Sequence, residues 1–495
     1  LSAWAEFELH PDVLAGLAAC GFTSPTPIQR ECLHPAIRAR VDIIGAAQTG
    51  SGKTLAFGLP IMHKLAAERA AAAAADMDME AGSMEEEGQG EEGGTSGGVA
   101  KEELEEEEEA GMEKHARRQS QRQQQQRQQK AQRLQLQREK RGVVETPKQR
   151  GKQLQRQVPM GPAPQPGPLR ALILTPTREL ALQVCSHLQV IGRVCGVRVA
   201  AIVGGISDVK QARLLAARPA VLVATPGRLW DLIPPSTDRH GPRAAAHLAD
   251  LTHLSFLVLD EADRMVAQGH YKQQQQQQQR GKKHLLQTFV FSATLTLPLF
   301  LKKRLRRGGG GAGGGAATLE SLMDRVPFRT SPPPRVVDLT PQRRLADRVA
   351  EAAVNCLDTE RDEVLYYLLA VHPGRTLVFA NAVSAIRRVA ALLKALGLPA
   401  LALHAQQQQR QRLKALDRFR SQPQSVLVAT DVAARGLDIP GVTTVVHYQL
   451  PASADTYIHR CGRTARGLEG DGISIALVSP AEAARFAGLG RVLGR

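Results

Sequence analysis

The sequence predicts an α/β protein built from two successive parallel β-sheets, each covered by helices. Three observations predict it. Short apolar runs alternate along the chain with stretches of helical character, the pattern of parallel strands joined by crossover helices. The runs form two series separated by Ser331-Pro332-Pro333-Pro334, a cluster that marks a domain boundary. At 495 residues the chain is long enough for two or three domains, each with its own core. We therefore expect residues 1–331 to form one domain and residues 335–495 a second.

From Ser2 to about Ala66 a helix-like stretch precedes a buried strand at Asp42-Ile43-Ile44-Gly45. The next run, AAQTGSGKT from Ala46 to Thr54, fits the phosphate-binding loop pattern. A glycine-rich strand-to-helix turn presents backbone N–H groups to nucleotide phosphates, here along Ala47, Gln48, Thr49, Gly50, Ser51 and Gly52. Lys53 would reach the outer phosphates and the Thr54 hydroxyl would ligate magnesium.

Composition changes abruptly over residues 67–168. Polyalanine gives way to an acidic stretch ending in Glu105 to Glu109, then to a Gln/Arg/Lys tract from Arg117 to Arg156, then to a Pro/Gly stretch from Val158 to Pro168. Such a segment cannot bury enough apolar surface to offset its ordering entropy, so a disordered insertion is expected, with transient helix in its Gln/Arg part. The alternative is a tethered binding arm whose acidic and basic halves screen each other until RNA or a protein competes.

The first series resumes at Leu169, with strands expected at Ala171 to Leu174, Val199 to Val203, Val221 to Ala224, Phe256 to Leu259 and Phe289 to Phe291. The glutamine repeat Gln273 to Gln279 and the glycine-rich Gly308 to Gly315 read as expanded loops. The second series has strands at Thr376 to Phe379, Ala400 to Leu403, Val426 to Ala429, Val445 to Tyr448 and Ile473 to Val478. DEAD, at Asp260 to Asp263, sits where the Phe256 run ends. There Asp260 can hold magnesium and Glu261 can polarise the attacking water. Two such motifs, each at the carboxyl end of a strand, point to nucleoside-triphosphate hydrolysis.

A net charge of +16 and a pI near 9.9 favour a polyanionic partner, either nucleic acid or an acidic membrane surface. The six cysteines are scattered, with no CxxC pair, which argues against a disulfide framework or a zinc site and for a reducing intracellular compartment. The sequence has no apolar run long enough to span a bilayer and no signal-peptide start. It opens on Leu1 rather than Met, so a piece of a longer protein is expected.

With these motifs the globular part of the chain resembles the DEAD-box ATP-dependent RNA helicases. Gly21-Phe22-Thr23-Ser24-Pro25-Thr26-Pro27-Ile28-Gln29 is similar to the family's adenine-reading segment, where Gln29 would pair with the adenine edge and Trp4 would add a stacking surface. The competing reading makes Trp4 and Phe22 core anchors. Pro176-Thr177-Arg178-Glu179-Leu180-Ala181, Gly204-Gly205 and Thr225-Pro226-Gly227-Arg228 resemble the RNA-backbone motifs of the first domain. Glycines would let phosphates approach the main chain, and Arg178 and Arg228 would supply charge. Ser292-Ala293-Thr294 resembles the motif that couples hydrolysis to RNA binding.

In the second domain the resemblance covers Val378 to Ala382, Gln409 and Arg412 in the QxxR position, the run Ala429 to Asp438, and the run Tyr457 to Arg466. It implies RNA contacts from Arg412 and Thr430, ribose contacts from Asp438, and a coupling role for His459. Arg463 and Arg466 would be arginine fingers on the γ-phosphate, the competing reading being surface RNA contacts or salt bridges. Ala465 stands where many members carry glycine. The resemblance implies two RecA-like domains, ATP and magnesium in the cleft between them, and RNA across both. Closure on both ligands would couple their binding and unwind short duplexes locally. The insertion, with GAAQTGSGKT and ATPGRLWDLI, is similar to the nucleolar branch linked to large ribosomal subunit assembly. That implies pre-ribosomal RNA as substrate, pre-ribosomal proteins met through residues 67–168, a nucleolar site of action, a monomer and no membrane. An ATP-gated RNA clamp uses the same residues and stays open, as does a DNA translocase, against which Gln29 with DEAD argues.

Overall fold

The computed structural model describes residues 2–84 (except 49), 161–232 (except 162, 164 and 165), 247–262, 265 and 286–292. It further describes 326–339 (except 327 and 330), 348–465 (except 432–438 and 440) and 471–493, with the backbone alone at 76–84 and 455. The main unit comprises Leu1–Arg69 and Lys152–Arg495; Ala70–Gly151 is a second unit.

The first sheet has seven strands: β1 (Ile43–Ala46), β2 (Ala171–Leu174), β3 (Val199–Ile202), β4 (Val221–Ala224), β5 (Phe256–Asp260), β6 (Gln287–Ser292) and β7 (Arg335–Asp338), in the order β3-β4-β2-β5-β6-β1-β7. Every pairing in it is parallel. β1 to β6 are buried at every residue, as a sheet covered on both faces requires. Its helices are α1 (Pro11–Ala19), α2 (Pro27–Ile37), α3 (Lys53–Met84), α4 (Arg178–Val194), α5 (Asp208–Ala216) and α6 (Pro226–Leu232). One core layer joins Trp4, Phe57, Leu188 and Ile191 to the side chains of Ile43, Ile173, Val258 and Phe289; the other joins Leu215 and Leu229 to Leu172, Leu222 and Leu257. Each such buried Leu, Ile or Phe contributes roughly 1.5–3 kcal/mol.

The second sheet, in the order β10-β11-β9-β12-β13-β8, is also wholly parallel. Its strands are β8 (Val349–Asn355), β9 (Thr376–Phe379), β10 (Ala400–Leu403), β11 (Val426–Ala429), β12 (Thr444–His447) and β13 (Gly472–Val478). The helices α7 (Arg361–Val371), α8 (Val383–Ala395), α9 (Gln409–Ser421), α10 (Ala454–Cys461) and α11 (Ala483–Val492) complete it. The expected strands of both series are present to within a residue or two of their expected ends.

Two expectations are corrected, and one strand goes unanticipated. The triproline does not end the first domain, because β7 pairs with β1, Ile43 opposite Arg335. Arg335 N–H donates to Asp42 O at 2.8 Å and Leu339 N–H to Ala46 O at 2.9 Å. Proline just ahead of an edge strand removes no ladder bond, so the sheet resumes directly after it. β8, Ala-rich with one Glu at 351, has no counterpart among the expected strands. The segment expected to be disordered from residue 67 begins as helix, since α3 continues to Met84 through the alanine run, the strongest intrinsic helix former. Residues 85–160, with the acidic and Gln/Arg tracts, lie outside the described residues. So do the glutamine and glycine loops expected at 273–279 and 308–315. Among the described residues no helix is long and apolar enough to cross a membrane.

Candidate active site

Three adjacent strands of the first sheet deliver the candidate hydrolytic residues to one rim. In register, Ala46 of β1 lies beside Ser292 of β6, and Phe291 of β6 beside Asp260 of β5. The loop after β1 leaves in line, with Ala47 N–H donating to Ser292 O at 3.2 Å. Gly50 and Gly52 take φ of 87° and 91°, a region that glycine enters without steric cost. Lys53 opens α3 and is 7% exposed, its ammonium folded back to donate to Ala47 O at 2.6 Å and Gln48 O at 3.0 Å. Ser51 Oγ is buried without a hydrogen-bond partner among the described residues, a vacancy in polar pairing that suits a phosphate oxygen. Thr49 lies outside the described residues.

Asp260 and Glu261 are 4% and 6% exposed. Glu261 N–H donates to Asp260 Oδ1 at 3.0 Å, and Glu261 has a φ of 50°. A left-handed non-glycine residue costs of order 1 kcal/mol and persists where the surroundings over-determine it. Here it turns the chain immediately after β5 and sets consecutive carboxylates apart. Thr54 and Asp260 fit magnesium, which keeps waters and phosphate oxygens and needs only one or two protein groups. Among the described residues no cluster of three or more His, Cys, Asp or Glu offers an all-protein cage.

Gln29 sits on the first turn of α2 and is 2% exposed. Its Oε1 accepts from Thr26 N–H at 2.9 Å, and its Nε2 donates to Gly52 O at 2.9 Å. The carboxamide thus ties α2 to the phosphate loop, leaving one lone pair and one N–H for a base edge. A Cβ on Gly52 would lie 2.4 Å from Gln29 Nε2, so this position requires glycine. The stacking surface expected at Trp4 is corrected. Trp4 is 0% exposed, packs on Phe7 at 6.2 Å and donates its indole N–H to Phe22 O at 3.0 Å. Phe22 is the exposed aromatic of this segment, at 39%. The competing reading therefore holds for Trp4, which anchors the core, and fails for Phe22, which faces out.

The candidate RNA face lies at the ends of β2, β3 and β4. Thr177 caps α4, accepting from Leu180 N–H at 3.4 Å, and follows Pro176. Arg178 is exposed, and its guanidinium lies over Gly204 and Gly205, where an added Cβ would meet it at 2.9 and 2.8 Å. The glycines therefore admit an arginine against the main chain, which can in turn present charge to a phosphate. Thr225 precedes α6, which Pro226 and Gly227 open, and Arg228 of its first turn is held by Asp208 and by Gln211 Oε1.

Arg412 is corrected. It is 6% exposed and its guanidinium pairs with Glu179 at 2.8 Å, while Gln409 Nε2 donates to the same carboxylate at 2.9 Å. Both residues of the QxxR position thus hold the first domain's PTREL segment rather than standing open for RNA. Thr430 follows β11, its N–H donating to Leu403 O at 3.3 Å.

Sequence reasoning passed over Arg460. It is 1% exposed, forms a double ion pair with Asp431 (2.6 and 2.8 Å), and donates to Asn381 Oδ1 at 2.8 Å and Gln449 O at 2.6 Å. Its guanidinium also lies 5.0 Å from the Phe379 ring centre. One side chain thereby joins the ends of β9, β11 and β12 to α10; its position three residues before Arg463 was the available signal. Arg463 is 2% exposed, with Nε donating to His459 O at 3.0 Å. Arg466, Asp438 and Thr294 lie outside the described residues. Ala465 has a φ of 53°, so alanine occupies a backbone conformation that favours glycine. Ala465→Gly should raise stability by about 0.5–1 kcal/mol, read as a higher Tm; an unchanged or lower Tm would contradict the strain.

Behind this motif, His447 is fully buried, stacked on Tyr457 at 4.4 Å and bonded to Ser474 Oγ at 3.0 Å. Burial, and secondarily the Arg460 guanidinium, hold it well below the ordinary 6.5. Below about pH 6.5 the unfolded chain takes up a proton here and the folded chain does not, so stability is complete above that pH and is lost as pH falls. Tm should drop between about pH 7.5 and 5.5 less steeply in His447→Gln than in the parent. Parallel profiles would refute a buried neutral imidazole. Cys461, in van der Waals reach of the same ring, has its thiol pushed up to about 12 by burial and is inert as a nucleophile.

The sequence pattern of the DEAD/DEAH box helicases matches residues 26–299, and that of the helicase conserved C-terminal domain residues 360–467. The chain is 38% identical to DEAD-box ATP-dependent RNA helicase 13 of Oryza sativa subsp. japonica, over 100% of this chain and 52% of the relative. It is 36% identical to ATP-dependent RNA helicase DDX24 of Homo sapiens (98% and 59%) and 34% identical to ATP-dependent RNA helicase mak5 of Schizosaccharomyces pombe (97% and 58%). It therefore spans little more than half the length of these curated relatives. In fold it is similar to S. cerevisiae Dbp5 bound to RNA and ADP BeF3, with a TM-score of 0.62 and 23% identity over 100% of this chain and 94% of that one. It is also similar to Mss116p bound to ssRNA and AMP-PNP, with a TM-score of 0.65 and 19% identity over 100% and 77%. With its phosphate loop, DEAD run and two parallel sheets, the chain belongs to the DEAD/DEAH box helicase family.

Proposed function

We propose that this chain hydrolyses ATP under the control of RNA and uses the cycle to open short RNA duplexes or remodel RNA–protein complexes. The observation that carries the reading is the convergence of the phosphate loop, Asp260-Glu261 and Ser292 on three neighbouring strand ends. Backbone N–H groups of residues 47–52 and the Lys53 ammonium bind the phosphates, drawing Lys53 from the Ala47 and Gln48 carbonyls. Magnesium held at Thr54 and Asp260 would neutralise charge on the transferring phosphoryl group. Glu261 orients the attacking water, and Gln29 reads the adenine edge. Arg463 and Arg466 bring guanidinium charge from the second domain, and Asp438 the ribose contact. Ser292, Thr294 and His459 relay closure between the halves.

Glu179 gives that closure a physical handle. It belongs to the segment proposed to hold RNA, and it is gripped by Gln409 and Arg412 of the second domain. RNA that orders Arg178 and its neighbours therefore stabilises the joined arrangement, and by linkage the joined arrangement holds RNA better. We further propose a role in ribosome assembly in the nucleolus, with pre-ribosomal RNA as substrate, resting on the likeness to the DDX24 and mak5 helicases.

The test is displacement of one strand from a short RNA duplex, with ATP turnover counted alongside. Displacement with many turnovers per protein is expected. Stable retention on RNA with less than one turnover would favour an ATP-gated clamp instead.

A further inference from the structure

Among the described residues β10 is the edge strand of the second sheet and pairs with β11 alone. Pro399 O accepts from Val426 N–H at 3.1 Å and Leu403 O from Thr430 N–H at 3.3 Å, so the odd-numbered residues face β11. The main-chain groups of Ala400, Ala402 and His404 therefore point to the open side. An open edge is a template for another strand, and proteins cover or block theirs. Here the block is local: Ala400 N–H donates to Leu398 O at 2.7 Å and Gln407 N–H to His404 O at 3.2 Å, and the Gln407 side chain covers the groups between them. Gln407 Nε2 donates to Ala402 O at 3.1 Å, and its Oε1 accepts from His404 N–H at 3.2 Å. A carboxamide on those two groups reproduces the pair of bonds that one residue of an added strand would make.

The edge lies at the bottom of a groove of about 460 Å3. α8 packs on one face of the sheet through Ile386 and Val389, and α9 on the other through Leu416 and Phe419, so the two helices wall the groove. The floor is small and apolar at Ala400, Leu401 and Ala402. The walls carry Arg387 and Lys394 from α8, and Lys414 and Arg418 from α9, all exposed; no Asp or Glu lines the groove. Lys394, Lys414 and Arg418 have no carboxylate partner among the described residues. His404 also lines the groove, 4% exposed, with Nδ1 buried and without a hydrogen-bond partner among the described residues.

We propose that this groove docks an extended acidic peptide of a partner protein, which displaces the Gln407 carboxamide and adds to β10 as a further strand. Main-chain bonds to Ala400 O, to Ala402 N–H and O and to His404 N–H give the peptide its seat. Its carboxylates meet two rows of cations; Arg387 and Lys394 stand two helical turns, roughly 10 Å, apart, about the span of three extended residues. A nucleic acid is the weaker fit. The lining contains no Phe, Tyr or Trp for base stacking, its one imidazole (His404) is buried, and a phosphodiester chain makes no use of a strand edge. The proposal does not depend on the hydrolytic reading, since none of these residues belongs to that machinery.

The probe is a fluorescent, end-capped peptide of about ten residues repeating Val-Glu-Glu, which places carboxylates on both faces of an added strand, titrated with the full chain. Saturable binding is expected. It should weaken about tenfold or more when the peptide's Glu become Gln, and likewise with Lys394→Glu/Lys414→Glu. N-methylation of alternate peptide amides should weaken it about tenfold, and Gln407→Ala should strengthen it severalfold. ATP turnover of both protein variants should match the parent, which excludes misfolding. Equal binding of the N-methylated peptide would reduce the effect to charge adhesion and overturn the proposal. So would weaker binding to Gln407→Ala, absence of saturation, or competitive displacement of the peptide by a short oligouridylate, which would make the groove an RNA path.

Discussion

Glu261→Gln should lower ATP turnover by roughly two to four orders of magnitude while leaving ATP affinity within about threefold. Gln keeps the shape of the side chain but cannot orient and accept from the attacking water as a carboxylate does. Affinity survives because phosphate binding rests on the loop and Lys53, and the backbone bond from residue 261 to Asp260 Oδ1 is untouched by the change. Nucleotide affinity from equilibrium titration and turnover from phosphate release separate the two effects. A variant that turns over at the parent rate would remove Glu261 from the chemistry; one that no longer binds ATP would make it a structural residue of the loop.

Arg460→Ala should destabilise the second domain by about 3–5 kcal/mol, enough to lower its Tm markedly or unfold it near physiological temperature. The loss has three parts: the Asp431 carboxylate is left without its double partner, Asn381 Oδ1 and Gln449 O lose a donor, and a cavity opens beside Phe379. Asp431 is partly exposed and recovers some hydration, which offsets part of the added cavity cost. Arg460→Lys should recover only a small share, because an ammonium cannot serve three acceptors in one plane. Thermal unfolding of the parent and both variants checks this. Equal stability would mean that the ends of β9, β11 and β12 are held by packing alone.

How legible the molecule was in its sequence varied with how local the cause was. β1, β2, β4, β5, β9 and β11 are unbroken runs of β-branched and apolar residues, buried on both faces, and the sequence showed them directly. The phosphate loop and DEAD were equally plain, since each needs particular residues at fixed spacing. β8 was hidden because an edge strand with a burial pattern of partial and full exposure carries no apolar run. The domain boundary was placed a few residues early because triproline reads as a stop, whereas pairing of β7 with β1 is decided by a strand about 290 residues distant. Arg412 was read as an RNA contact because its charge is visible in sequence and its partner Glu179 is not. Trp4 was read as a stacking surface because sequence gives an aromatic residue but not which way it faces. Gln407 sits in a glutamine repeat, where nothing local distinguishes it from Gln406 or Gln408.

The central claim is that one chain couples ATP hydrolysis to RNA through closure of its two domains. Steady-state phosphate release with saturating ATP, measured without nucleic acid, with single-stranded RNA and with DNA of the same sequence, tests it most directly. The account predicts that RNA raises turnover about tenfold or more, that DNA does so far less, and that Glu179→Ala, which releases Gln409 and Arg412, abolishes most of the rise while sparing the basal rate. Turnover indifferent to RNA, or a full RNA response in Glu179→Ala, would contradict it.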